Sequence, residues 1–144
     1  MTKRIFVAIA LCLFLASFTQ PAFYIDMPEK DAWSDPFGLF FLGWMGLFAG
    51  SITFIIWLAN PFFIIAVILF LRNKKKAFLF SLLAALCAAG FLLMHTIIVS
   101  EQPAYARITV YKAGYWLWLS GMAVLLLGSF IHWLRPSSTG KPPY

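Results

Sequence analysis

Few side chains in this sequence could carry out chemistry. Two cysteines, Cys12 and Cys87, and two histidines, His95 and His132, lie in or beside apolar segments. An imidazole can bind a metal or transfer a proton near neutral pH, and a pair of thiols can exchange electrons. The thiols lack the C-x-x-C spacing of redox sites. We expect both to be buried and inert, although their similar predicted depths leave a disulfide between them geometrically possible.

The two histidines are predicted to lie too far apart to cooperate. Each falls near the end of an apolar helix, and antiparallel packing would separate them by about 20–25 Å at 1.5 Å per residue. They could therefore not share one metal ion or haem within a subunit. Four acidic residues are close in sequence, but on a polar loop where we expect them to be solvated: Asp26, Glu29, Asp31 and Asp35. The sequence predicts no catalytic residue, no metal site and no cofactor.

The pair Asn60-Pro61 is the strongest candidate for a polar site. Proline cannot donate a backbone hydrogen bond, so Pro61 frees the carbonyl of Trp57 within an apolar helix. Broken helices of this kind can line a path for ions or substrates. The alternative is a structural kink, in which Asn60 or a neighbouring helix satisfies the freed group. Both interpretations stay open at the level of sequence.

Six glycines are spaced for close contact between helices: Gly43, Gly46, Gly50, Gly114, Gly121 and Gly128. Gly46 and Gly50 form a G-x-x-x-G pattern, which lets two helix backbones approach closely. The last three recur every seven residues and so lie on one helix face. This packing could lie within one chain or between chains, and the first group could also belong to a re-entrant element.

Composition indicates the elements that must position these residues. The chain has 144 residues, of which 62% are hydrophobic and 11% charged, with a mean hydropathy of +0.88. A soluble domain carries roughly 25% charged residues. A soluble enzyme, a zinc ribbon and a disulfide scaffold are therefore excluded. We predict an all-α integral membrane protein: a single four-helix bundle over residues 1–136, with a disordered tail over 137–144.

Four apolar segments are predicted to span the membrane, over residues 5–25, 51–71, 77–99 and 114–134. The apolar run 37–71 would be about 52 Å long as one helix, against a hydrocarbon core of roughly 30 Å. Residues 37–50 should therefore form a separate short helix that lies at the interface, re-enters the membrane or continues into the next span. Residues 108–111 alternate weakly, as a short strand would. We expect the first segment to remain uncleaved, because Gln20 and Ala22 make a poor cleavage site.

Charge predicts the orientation of the four spans. With four spans, one side of the membrane carries no acidic residue and eight of the eleven basic ones: Lys3, Arg4, Arg72, Lys74, Lys75, Lys76, Arg135 and Lys141. The positive-inside rule then places both termini on the cytoplasmic side of the membrane. The net charge of +6 is explained by insertion and contact with anionic lipid, without nucleic acid. Aromatic residues cluster at the predicted outer surface as an interfacial patch: Trp33, Trp44, Tyr115, Trp116 and Trp118.

Three short motifs suggest a family. Gly43-Trp44, then Trp57-Leu58-Ala59-Asn60-Pro61 and Gly114-Tyr115-Trp116-Leu117-Trp118-Leu119 resemble a group of small bacterial four-helix inner-membrane proteins without an established activity. The resemblance covers about residues 38–134 and implies the architecture only. We expect a non-catalytic protein that acts by lateral helix contacts, as an accessory or assembly subunit or an immunity-type protein. Its partners would be the lipid bilayer and another membrane protein or a second copy. The alternative is a small oligomeric channel or carrier that uses the break at Asn60-Pro61.

Overall fold

The computed structural model describes residues 2–29, 34–48, 52–98 and 105–134. The predicted roles of Trp33 and Gly50 and the predicted tail over 137–144 lie outside these ranges. Within them the chain is mostly helical, as predicted. The all-α prediction is nevertheless wrong in one respect, because a small three-stranded sheet is also present.

The first helix is shorter than predicted. Helix α1 covers Thr2–Ser17, and the chain then turns and forms strand β1 at Phe23–Ile25. The hydroxyl of Ser17 donates to the Phe14 carbonyl at 2.6 Å, and a similar bond follows at Thr19. Such local bonds compete with the helix, and Pro21 beyond them cannot donate to it. The prediction of one helix over 5–25 is therefore wrong after residue 17.

The second apolar run divides as its length requires. Helix α2 covers Pro36–Leu42 and continues as a 3-10 helix over Gly43–Leu47, so the predicted short helix is present in the described part of 37–50. The Asp35 carboxylate caps α2 by accepting from the Gly38 amide at 2.7 Å. Helices α3 (Thr53–Trp57) and α4 (Ala59–Leu71) then follow.

The interruption between α3 and α4 is slight. It falls at Leu58, between Trp57 and Pro61, where the hydrogen bond that Pro61 cannot donate is missing, so it lies near Pro61 as predicted. The Leu58 amide still donates to the Phe54 carbonyl, and the Leu58 carbonyl still accepts from the Phe62 amide, each at 3.1 Å. The residues from Thr53 to Leu71 therefore act as one nearly continuous helix of 19 residues.

The third and fourth predicted helices differ in how well they match. Helix α5 covers Ala77–Gly90 and ends in a 3-10 turn over Phe91–Leu93, after which Thr96–Ile98 forms strand β2. The predicted helix over 77–99 is thus wrong at its end, where β-branched residues favour a strand. Helix α6 covers Ala113–Leu134, one residue longer than the prediction of 114–134.

The sheet covers one end of the helices. Strand β3, Tyr105–Tyr111, lies at the centre and pairs antiparallel with β1 on one side and β2 on the other. It includes the residues whose alternation predicted a short strand. Its inward face joins the ends of α5 and α6 in a small apolar core: Phe23, Ile25, Phe91, Ile97, Ala106 and Tyr115.

The helices pack on a second and larger apolar core. Helix α6 packs along α1 and α5, and α5 also packs along α4. The rings of Phe14 and Phe63 stack at 4.8 Å between α1 and α4, and Met122 and Leu125 of α6 are fully buried beside them. Two of the described helices, Thr53–Leu71 and Ala113–Leu134, are long and apolar enough to cross a membrane.

The end of the helices opposite the sheet is basic. The Lys3 ammonium at the start of α1 donates to the Leu71 carbonyl at the end of α4 and to the Asn73 side chain. Asn73 has a positive φ of 57°, which suits the tight turn from α4 into α5. Lysines 74–76 of this turn are all exposed. The structure therefore gathers the basic residues of the α4–α5 turn and of the α1 start at one end.

Candidate functional site

Asn60 lies at a junction between helices rather than in an open path. Its side chain is only 7% exposed, and its Oδ1 atom accepts a hydrogen bond of 2.9 Å from the indole nitrogen of Trp118 on α6. A second indole, that of Trp57, donates to the Phe40 carbonyl of α2 at 2.7 Å. The helix break is therefore tied to its neighbours on both sides by neutral hydrogen bonds. Of the two interpretations of Asn60-Pro61, a structural kink and a polar path, this geometry favours the structural kink.

The glycines of α6 form a contact face against α1. A Cβ atom added at Gly121 would lie 2.9 Å from the Ala10 carbonyl oxygen, and one at Gly128 would lie 2.6 Å from the ring of Phe6. At Gly114 the same atom would lie 2.3 Å from the Gln20 carbonyl oxygen. The seven-residue repeat thus serves packing within one chain, which the sequence had left open.

The earlier glycines line the junction of the short helices. A Cβ atom at Gly43 would lie 2.5 Å from the Trp57 ring, and one at Gly46 would lie 2.8 Å from the Thr53 hydroxyl. Both glycines sit in the 3-10 turn that precedes the undescribed residues 49–51. They allow α3 to fold back closely on that turn.

Only some residues of the predicted aromatic patch are exposed. Tyr115 is 2% exposed, and its hydroxyl donates to the Ala88 carbonyl at 3.1 Å, so its assignment to an outer surface is wrong. Trp116, the next residue on α6, is 48% exposed. Trp118 is half-buried on Asn60, and Trp44 packs on Phe48 rather than with the others.

Tyr111 is a site residue that sequence analysis missed. Its hydroxyl lies 3.0 Å from the Phe91 carbonyl oxygen and 2.8 Å from that of Met94, so it ties strand β3 to the end of α5. Burial raises the pKa of this hydroxyl, which therefore remains a donor through neutral pH. The weak strand alternation at residues 108–111 and the aromatic side chain itself at the predicted outer surface were the signals near it.

A buried pair of serines was also missed. The hydroxyls of Ser81 on α5 and Ser129 on α6 lie 2.6 Å apart, and each also lies near a carbonyl of its own helix. Two small polar residues at matched depth on adjacent helices were the signal available. Their mutual bond satisfies both hydroxyls within an apolar contact.

The histidines and cysteines do not form a shared site. His95 is exposed just before β2, whereas the His132 ring lies 5.7 Å from the Phe70 ring at the basic end. The Nε2 atom of His132 is buried without a hydrogen-bond partner among the described residues. Both cysteines are free. Cys87 is half-buried, whereas Cys12 is exposed, so the expectation that both are buried is wrong for Cys12. Over the described ranges, no group of three His, Cys, Asp or Glu side chains could hold a metal ion.

Two apolar grooves lie on the outside of the helices. The α5–α6 groove has a volume of about 410 Å³ and is lined by Phe78, Leu82, Ala123, Leu126, Leu127 and Phe130. The α3–α5 groove has a volume of about 650 Å³. Its walls are mainly apolar, and it ends at two polar residues, His95 and Thr96.

Comparison with known proteins found no match among protein-family models, curated proteins or solved structures. The junction around Asn60, the serine pair and the two grooves offer neutral hydrogen bonds, aromatic contacts and apolar surface.

Proposed function

We propose that this chain is an integral protein of a bacterial inner membrane, with four membrane-embedded helical segments formed by α1, α3–α4, α5 and α6. Large apolar side chains point outward along these segments, including Ile64, Ile68, Leu86 and Leu127. A soluble protein rarely exposes such continuous apolar surface. Helices α4, α5 and α6 also contain no Asp, Glu, Lys or Arg, as lipid requires.

The ends of the fold support an orientation with the sheet outside. The opposite end carries Lys3, Arg4 and the basic α4–α5 turn, and positive residues favour the cytoplasmic side. Strand edges must satisfy their backbone groups, so the sheet suits the hydrated outer interface. The 17 residues from Ala77 to Leu93 are about 25 Å long, which brings the sheet close to the hydrocarbon boundary.

Cysteine labelling tests this topology. In a variant with Cys12→Ala and Cys87→Ala, we expect Thr109→Cys on β3 to react with a membrane-impermeant maleimide applied outside the inner membrane. Lys75→Cys should react only after that membrane is permeabilised. Both positions are exposed, so a difference in labelling reports the side of the membrane. If only Lys75→Cys were labelled from outside, the topology would be the reverse of the proposed one. Equal labelling of both positions would contradict a spanning arrangement.

We propose further that the protein acts without catalysis, through lateral contact with another membrane protein or a second copy, as an accessory, assembly or immunity-type subunit. The α5–α6 groove is the observation that carries this proposal. Aromatic rings border it, with Phe78 stacked on Trp133 at 5.5 Å, and Ala123 keeps it open. In lipid, helices associate where side chains of one fill a groove made by small residues of another.

Filling the groove tests lateral contact. We expect Ala123→Trp to abolish the complex that the native chain forms in mild detergent, with the loss followed by native mass spectrometry. Ile68→Trp is the matched control, because Ile68 is exposed on α4, away from this groove. The control should keep the complex. A complex that survives Ala123→Trp, or a native chain that is strictly monomeric, would contradict the proposal.

The channel or carrier alternative has less support from the site. A polar path at Asn60 needs an amide that faces water or an ion, whereas its oxygen is bonded to Trp118 and its side chain is buried. The resemblance of the three short motifs to small bacterial four-helix inner-membrane proteins remains a proposal, and it concerns the architecture only.

A further inference from the structure

The α3–α5 groove combines an apolar trough with a polar end. Its walls come from α3 and α5, with Ile55 and Leu86 among them, and it ends beside His95 and Thr96 at the sheet. Gly90 leaves the trough open, since no described atom beyond its chain neighbours and its own helix backbone lies within 4 Å of where its Cβ would be. Its volume of about 650 Å³ lies in the range of small-ligand sites, roughly 300–1,000 Å³.

A cation lies on the strand next to the polar end. Thr96 of β2 stands directly opposite Arg107 of β3. The Arg107 backbone bonds instead to Asp26 on the other side of β3, with its amide 2.7 Å from the Asp26 Oδ1 atom and its carbonyl 3.0 Å from the Asp26 amide. Thr96 and Arg107 therefore form a non-hydrogen-bonded pair of the antiparallel ladder. In such a pair the Cα atoms are about 4.5 Å apart, and the two side chains lie closer together than in a hydrogen-bonded pair.

The Arg107 side chain is available on the outer face of the sheet. Its strand neighbour Ala106 and the paired Ile97 are buried toward the core, so Thr96 and Arg107 point the other way, and both are exposed. No ion pair is made by the Arg107 guanidinium with any described residue. A guanidinium without an ion pair among the described residues thus stands beside the polar end of an apolar trough.

We propose that the α3–α5 groove binds one acyl chain of an anionic phospholipid from the outer leaflet, with the lipid phosphate held by Arg107 and Thr96. A guanidinium binds phosphate oxygens through two parallel hydrogen bonds, and the Thr96 hydroxyl adds a third donor. The trough accepts the chain while the charge at its end selects the headgroup. This inference rests on the proposed membrane topology, but not on the proposed lateral partner.

Lipid selectivity tests the site. In nanodiscs of phosphatidylcholine with a minor fraction of phosphatidylglycerol, we expect the native protein to retain phosphatidylglycerol about tenfold above its bulk ratio. Both lipids carry the phosphate, but only the phosphatidylcholine headgroup also carries a cation, which the Arg107 guanidinium repels. Arg107→Gln should return this ratio to that of the bulk. Gly90→Leu should lower retention of both lipids. Bound lipid is counted by native mass spectrometry.

Two variants serve as controls. Lys112→Gln removes a cation at the same end that lies over the Tyr24 ring at 4.6 Å, and Arg72→Gln removes one at the opposite end. Both should keep the enrichment. The proposal is overturned if Arg107→Gln keeps it, if Lys112→Gln abolishes it equally, or if excess glycerol phosphate displaces the lipid, which would indicate a phosphate site without a chain site. Circular dichroism of Arg107→Gln and Gly90→Leu must match the native protein.

The outcomes also separate this inference from the proposed function. If enrichment fails while cysteine labelling and the complex sensitive to Ala123→Trp are as expected, only the lipid site is wrong. If labelling contradicts a spanning topology, both proposals fail together.

Discussion

Replacing Gly114 by alanine should destabilise the fold by about 3 kcal/mol or more, near the upper range for a single added methyl group. Its Cβ would lie 2.3 Å from the Gln20 carbonyl oxygen and 2.8 Å from that of Pro21. Both are backbone atoms, and the Pro21 carbonyl already accepts from the Gly114 amide at 3.1 Å. Neither can move without opening the junction between α1, β1 and α6.

Thermal unfolding in one detergent would measure this effect, with Gly90→Ala as the matched control. Gly90 has helical φ and ψ angles of −57° and −25°, and its Cβ would meet open space. Alanine there should leave the free energy of unfolding unchanged or raise it by up to ~1 kcal/mol, because alanine favours a helix. Equal effects at Gly114 and Gly90 would contradict the close contact of α6 with the segment after α1.

A graded series along α6 would sharpen the comparison. The contact at Gly121 is looser, since a Cβ there would lie 2.9 Å from the Ala10 carbonyl oxygen. We therefore expect Gly121→Ala to cost less than Gly114→Ala, while Gly121→Ile should separate α1 from α6. If the loss of stability follows the tightness of each contact, the effect is steric. If it does not, the effect comes only from replacing a glycine.

The sequence predicted helix α6 well and the ends of α1 and α5 poorly, for one physical reason. Hydropathy measures whether a segment is apolar, and residues 113–134 contain no proline, so an apolar run and a helix coincide there. The strands β1 and β2 are apolar too, and they continue the runs that contain α1 and α5. A short apolar strand next to a helix cannot be separated from it by periodicity. Only pairing with β3 decides their structure.

The candidate site shows the same limit. A polar amide beside a proline identified Asn60 from sequence, but its partner Trp118 lies 58 residues away along the chain. Tyr115 and Trp116 were assigned to one surface because they share a depth. Successive helical residues are about 100° apart, so packing turned Tyr115 into the core and left Trp116 exposed. The position of a residue along its helix can be predicted from the local sequence. Whether its side chain is buried or exposed depends on which other helix packs against that side.

Replacing Asn60 by leucine should lower the free energy of unfolding by about 1–2 kcal/mol, because the Trp118 indole N–H loses its acceptor in an apolar setting. The two side chains have the same number and branching of heavy atoms, so leucine removes the hydrogen bond while it keeps the branched shape at this position. Trp118→Phe should remove the donor in the same way. The double variant should lose about 1 kcal/mol less than the sum of the single losses, since neither polar group is then left unpaired.

The same variants decide between the kink and the polar path. A structural crosslink requires coupling between Asn60 and Trp118 in unfolding, and Asn60→Leu should not alter ion or solute leakage through reconstituted liposomes. If Asn60→Leu abolished a measurable flux while the unfolding temperature stayed at the native value, the Asn60 oxygen would be serving a permeating species instead of the indole. If the losses in free energy of unfolding were additive and no flux were measured, both the structural crosslink and the polar path would be contradicted. The 2.9 Å bond would then contribute nothing to the contact of α4 with α6.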